Sequence, residues 1–162
     1  MNRKLIFWCY FLMMFILFIC VPSYFVGISK HAYSSLFFGY QEKPLLIMMI
    51  SLLSLFFDYL SLIIPRMELF SIRSFSLIRK PTIKRSCFVC MKVILPYFIP
   101  FLLIKLYALT IFATSIVFVW IGISIIEWFL CFYISLNLKI AIPNGFFLFI
   151  FIIVRIIAHL LF

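Results

Sequence analysis

The most constraining feature of this sequence is a long apolar run over residues 93–136, in which the charged residues are Lys105 and Glu127. A helix crosses the hydrocarbon core of a bilayer with about 20 mainly apolar residues. Because the run is far longer than one crossing needs, we predict two spans in it, 93–112 and 115–136. The run therefore predicts a helical hairpin that is surrounded by lipid.

The remaining sequence has the same character. Hydrophobic residues make up 68% of the 162 residues and charged residues 11%, whereas soluble domains are about half apolar and about a quarter charged. Polar residues are too few to cover a water-soluble globule, so we predict an all-α integral membrane protein with one polytopic domain over residues 1–162. The five expected transmembrane helices are residues 5–26, 45–64, 93–112, 115–136 and 146–162.

The first of these spans follows Arg3 and Lys4, as the apolar part of a signal peptide would. Its apolar stretch is longer than that of a usual signal peptide, and no A-x-A-like cleavage site follows it. We therefore expect it to remain as the first membrane helix.

The most polar part of the chain, residues 66–92, is predicted to be a loop between the second and third spans. By the positive-inside rule this loop is cytoplasmic, and so is the basic N-terminus two spans before it. A surface helix ending at Pro81 remains an alternative for its first half. The basic residues of this loop, which we expect to contact a partner protein or anionic lipid, are Arg66, Arg73, Arg79, Lys80, Lys84, Arg85 and Lys92.

The formal net charge of +10 would suggest nucleic-acid binding in a soluble protein. Here no nucleic-acid-binding motif accompanies the charge, and short cytoplasmic loops of membrane proteins collect Lys and Arg in any case. We therefore expect the lipid bilayer and other protein subunits as partners, and no nucleic acid.

Cys87 and Cys90 form a C-x-x-C motif inside the predicted loop. This spacing suits a redox dithiol or half of a zinc site. Structural zinc usually takes four protein ligands, and the other three cysteines lie in apolar spans. A dithiol would lie on the reducing side of the membrane if the loop is cytoplasmic. We interpret the two residues as structural cysteines at a helix entrance, keep a thiol pair as the alternative, and expect no metal and no cofactor.

Four ionisable residues lie inside the predicted spans: Asp58, Lys105, Glu127 and Arg155. A charge near the middle of a bilayer is costly and usually faces a partner or a water-filled cavity. At 1.5 Å per residue, Glu127 and Arg155 both lie about 14 Å from the inner ends of their spans. We therefore predict an ion pair between these two. Because two acids and two bases balance, a structural role is favoured, and an ion or substrate path is the alternative.

Motifs for nucleotide binding, for zinc proteases and for serine hydrolases are absent from the sequence, and no catalytic residue is predicted. The leading hypothesis is a non-catalytic small membrane subunit or permease component that acts with partner subunits in transport, with a separate ATPase as one candidate partner. One alternative is a membrane-embedded enzyme, either a thiol oxidoreductase or a lipid-modifying enzyme. Another is an accessory or assembly subunit of a large membrane complex. The bacterial plasma membrane is the first expected location and an organelle membrane the second.

Overall fold

The computed structural model describes residues 3–24, 45–79, 83–111, 115–137 and 143–161. The described residues form five α-helices, which confirms the predicted all-helical fold. Four of them are long and apolar enough to cross a membrane, whereas the apolar part of the fifth, Asn144–Ala158, is shorter. Length and composition thus indicate a multi-pass membrane protein, and a complete crossing by the fifth helix stays a prediction. The helices are α1 (Arg3–Tyr24), α2 (Leu45–Arg79), α3 (Ile83–Ile111), α4 (Ser115–Asn137) and α5 (Asn144–Leu161).

Helix α2 is the centre of the bundle. It contacts each of the other four helices, while α3 also packs against α1 and α4. On α2 a row of buried polar residues recurs at intervals of three and four, so that its members lie on one face of the helix. Small residues on such a face let neighbouring helices approach closely in a membrane. The row consists of Ser51, Ser54, Asp58 and Ser61.

The outer surface of the bundle is apolar and its interior contains charge. Large side chains such as Leu12, Ile16, Phe118 and Phe149 are more than half exposed, whereas Asp58 is buried. Soluble proteins show the opposite tendency, because their charged residues are almost never fully buried unless they are paired. This distribution is the one expected of helices whose outer faces contact lipid chains.

The predicted loop over residues 66–92 consists largely of two helix ends, which corrects the sequence interpretation. Helix α2 continues through Pro65 as far as Arg79, and α3 already begins at Ile83. A proline inside a helix removes one backbone hydrogen bond, but Arg66 and Leu69 beyond it are buried against the bundle. This packing offsets the lost hydrogen bond and keeps the helix continuous.

Burial is described for two of the seven basic residues of this segment. Arg66 is buried, so it does not belong to a solvated loop, whereas Lys92 is exposed on helix α3. Lys80 lies outside the described residues. The side chains outside the described part of the structure are those of Arg73, Arg79, Lys84 and Arg85.

Candidate functional site

An ion-pair triad lies in the middle of the bundle, where Asp58 of α2 meets Lys105 of α3 and Arg155 of α5. The Oδ2 atom of Asp58 lies 2.7 Å from Lys105 Nζ and 2.7 Å from Arg155 Nη2. The three residues are 4%, 1% and 6% exposed. One carboxylate therefore joins three helices, and two buried positive charges share one negative charge.

Both cations of this triad continue a buried stripe of their own helix. Residues three or four apart on a helix face the same side, and the positions one and two turns before each cation hold buried aromatic residues. The apolar contacts of each stripe thus direct the charged side chain toward α2. The stripes are Tyr97, Phe101 and Lys105 on α3, and Phe147, Phe151 and Arg155 on α5.

The serine row of α2 provides further hydrogen-bond acceptors for Arg155. Its Nη1 donates to the backbone carbonyl of Ser51 at 2.9 Å, and its Nη2 donates to Ser54 Oγ at 2.9 Å. A guanidinium has five N–H donors and needs several acceptors when it is buried. These serines are not among the site residues predicted from sequence, although their regular spacing around Asp58 is a signal in the sequence itself.

The same row connects α2 to α4 through Ser61. The Ser61 hydroxyl donates to the backbone carbonyl of Asp58 at 2.6 Å and accepts a hydrogen bond from Trp128 Nε1 at 3.0 Å. Trp128 is fully buried, so this contact fixes the rotation of α4 about its axis. The neighbouring Glu127 is thereby held toward the triad.

The predicted ion pair between Glu127 and Arg155 is replaced by the pair of Arg155 with Asp58. The physical reason is the arrangement of the helices: α5 packs against α2, whereas α4 packs against α2 and α3. Glu127 still lies close enough to Asp58, Lys105 and Arg155 for electrostatic interaction with all three. The structure thus brings together all four residues predicted as intramembrane charges, and we name these four residues the charged cluster.

Two carboxylate oxygens of the charged cluster accept no hydrogen bond from the residues that the structure describes. They are Asp58 Oδ1 and Glu127 Oε1, and both atoms are buried. Leaving a buried acceptor without a donor costs about 1–3 kcal/mol, and more if the group is charged. Among the described residues, each of these two oxygens therefore remains an acceptor to which a proton or a donor can bind.

A second layer of polar contacts lies at the end of the bundle that contains the start of α1. The Tyr97 hydroxyl donates to Glu68 Oε1 at 2.6 Å, and Lys4 Nζ lies 3.7 Å from Glu68 Oε2. Glu68 thus connects α2 to both α1 and α3. The Lys4 side chain is 54% exposed, so its ion pair contributes little to stability.

Arg66 belongs to this layer and connects α2 to the first turn of α5. Its Nη1 donates to Asn144 Oδ1 at 2.6 Å, and its guanidinium lies 4.8 Å from the ring centroid of Phe147. A cation over an aromatic face is attracted by the electrons of the ring. Arg66 therefore has a packing role within the bundle.

We name the second layer, which contains Arg66, Glu68, Tyr97 and Lys4, the Arg66 layer. Its distance from the charged cluster indicates how deep the cluster lies. From Arg66 to Asp58 the axial distance along α2 is about 12 Å, and from Asn144 to Arg155 along α5 it is about 16 Å. The hydrocarbon core of a bilayer is about 30 Å thick. If the Arg66 layer lies near one surface of the core, the charged cluster lies near its middle.

The two cysteines of the C-x-x-C motif lie near the start of α3. Cys90 is partly buried on α3, and the side chain of Cys87 lies outside the described part of the structure. Within the described ranges, no three His, Cys, Asp or Glu side chains come close enough together to hold a metal ion.

Comparisons of this chain with protein-family models, with curated proteins and with solved structures gave no match. The charged cluster combines four ionisable side chains in the interior of the bundle. Its chemistry allows two roles: ion pairs that hold helices together, and carboxylates that exchange protons inside a low-dielectric bundle.

Proposed function

We propose that the protein is a non-catalytic membrane component of a transport system and acts together with partner subunits. The observation that carries this proposal is the charged cluster, in which four ionisable side chains from four helices converge inside a bundle with an apolar outer surface. Ionisable residues at membrane depth are costly and often mark the paths of ions or substrates. Two buried carboxylate oxygens that have no donor among the described residues support a role beyond holding helices together.

The orientation forms part of the proposal: the end of the bundle with the Arg66 layer faces the cytoplasm. Arg3, Lys4 and Lys92 lie at or near this end, together with the basic residues at the end of α2 and the start of α3. An excess of Lys and Arg on one side supports a cytoplasmic location for that side. The membrane we propose is the bacterial plasma membrane.

This orientation predicts the outcome of a labelling experiment in intact cells. In a cysteine-free background, we expect a cysteine at position 92 (Lys92→Cys) to react with a membrane-permeant maleimide and not with an impermeant one. A cysteine at position 31 (His31→Cys), after the first span, should react with both reagents and is the matched control. Labelling of position 92 by the impermeant reagent in unbroken cells would reverse the topology.

Partner binding is proposed for the basic segment that joins α2 and α3, including Arg79 and Arg85. Clustered Lys and Arg next to membrane helices attract acidic protein surfaces and anionic lipid. Because nucleotide-binding motifs are absent from the sequence, an ATP-driven system would need a separate ATPase subunit.

The test of this function is purification of the protein in mild detergent, followed by identification of the proteins that remain bound in stoichiometric amounts. A transport ATPase or another permease subunit is the expected result. The variant Arg79→Gln with Arg85→Gln should lose this partner, while Lys139→Gln, a basic change outside the segment, should retain it. A protein that purifies without any stoichiometric partner contradicts the subunit proposal.

An accessory subunit of a large membrane complex is the second candidate. The observation that favours it is that Asp58 Oδ2 accepts hydrogen bonds from both Lys105 and Arg155. These two contacts hold α2, α3 and α5 together, as expected in a structural core. Co-purification of respiratory or translocation subunits in place of a transporter would favour this candidate.

A further inference from the structure

Glu127 differs from the other three members of the charged cluster in its local contacts. Lys105 and Arg155 both place a donor 2.7 Å from Asp58, whereas Glu127 Oε1 is buried and accepts no hydrogen bond from the described residues. Burying an ionised carboxylate without donors is unfavourable, and a neutral acid avoids most of this cost. The immediate surroundings of Glu127 therefore favour its protonated form.

The charges at longer range have the opposite effect. Lys105 of α3 and Arg155 of α5 attract a negative charge on Glu127, while Asp58 of α2 repels it. Without a charge on Glu127, the cluster holds two positive charges against one negative charge. Ionised Glu127 would make the cluster neutral. Cys131, one turn further along α4, is the titratable neighbour on the same helix.

Local hydrogen bonding and charge balance thus favour different protonation states of the same side chain. The protonation state of such a group can change when its surroundings change slightly, for example when α4 moves relative to α3. Glu127 is also less completely buried as a residue than Asp58, Lys105 and Arg155.

We propose that Glu127 is a proton-exchanging group and that the ion coupled to transport is H⁺; this inference rests on the proposed transport function. In the forward step a hydronium ion transfers its proton to a carboxylate oxygen of Glu127 and leaves as water. The cluster then carries one net positive charge in place of none. In the reverse step water takes the proton back, and the neutral cluster is restored.

Infrared difference spectroscopy can test this directly, because the chain has four side-chain carboxyl groups: Glu42, Asp58, Glu68 and Glu127. The full-length protein in vesicles of zwitterionic phospholipid is titrated with acid and base. We expect a carbonyl-stretch band of a buried, protonated carboxylic acid that disappears on titration to alkaline pH. The band should be lost in Glu127→Gln and retained in the matched control Glu68→Gln.

A second sample protects the test against a variant that fails to fold. In Glu42→Gln with Glu68→Gln, Glu127 is the remaining glutamate, and isotopic labelling of the glutamate carboxyl carbon should shift the band. Absence of any such band over the pH range in which the bundle stays folded overturns the proposal. A band that persists in Glu127→Gln, or does not shift on labelling, overturns it as well.

The two proposals can fail separately. A complex that transports its substrate but shows no titrating Glu127 band would retain the transport function and remove the proton-exchanging role. A Glu127 band in a protein whose purified complex belongs to no transport system would remove the transport function and the H⁺ coupling. Glu127 would then remain a buried acid of a structural subunit.

Discussion

Replacing Asp58 with Asn is expected to lower the free energy of unfolding by about 3–5 kcal/mol, the range for breaking a buried ion pair on one side. The substitution keeps the size of the side chain but leaves Lys105 and Arg155 as two buried cations without a counter-ion at 2.7 Å. The measurement is the fraction of folded protein against denaturant in detergent micelles, together with the yield of monodisperse protein.

Glu68→Gln is the matched control for this change. It also removes one carboxylate, but Gln keeps an acceptor for the Tyr97 hydroxyl, and the lost partner Lys4 is mostly exposed. We expect a loss below about 1 kcal/mol, as for exposed ion pairs. Equal losses for the two variants would show that the triad contributes no more than a surface pair.

Removing both cations tests the cause of the loss. In the combination Asp58→Asn, Lys105→Met and Arg155→Met no unpaired charge of the triad remains buried, and apolar replacement of buried ion pairs is often neutral or stabilising. The combination should therefore be more stable than Asp58→Asn alone. A stability lower than that of the single variant would mean that the three side chains do not act as a unit.

The sequence predicted the four charged residues within the spans, but neither their convergence into one cluster nor their pairing. Counting residues along a helix gives the depth of a side chain, and this placed Glu127 and Arg155 at one level. It does not give the rotation of a helix about its axis, nor which helices are neighbours. Those depend on packing: α5 lies against α2, and Asp58 therefore receives Arg155.

The helix ends were mispredicted for a related reason. Pro65 and the basic residues after it have the composition of a loop, and from sequence a helix is expected to end near such a proline. Whether it ends depends on what the following turn buries. Here Arg66 packs on Phe147 and Glu68 accepts from Tyr97, contacts between distant parts of the chain that a local pattern does not contain.

Substitution of Trp128 by Ala should also cause a large loss of stability, because this side chain holds α4 against the centre of the bundle. It is fully buried, its Nε1 donates to Ser61, and its ring packs 4.9 Å from that of Phe98 and 5.2 Å from that of Phe132. Trp→Ala changes in soluble cores cost about 3–5 kcal/mol. In a bilayer the gain from leaving water is missing, since lipid chains are as apolar as the core, so we expect the lower end of this range.

Trp128→Phe is the control that separates packing from hydrogen bonding. It keeps most of the ring contacts and loses the donor to Ser61, for which we expect about 1 kcal/mol. Because Glu127 is adjacent to Trp128, loosening α4 in Trp128→Ala should also change the surroundings of the Glu127 carboxyl group. The infrared band assigned to Glu127 should therefore shift or broaden in Trp128→Ala. It should change little in Trp128→Phe. If Trp128→Ala unfolds at the same denaturant concentration as the wild type, α4 does not depend on this contact. The rotation that directs Glu127 toward the charged cluster would then have to come from other contacts of α4.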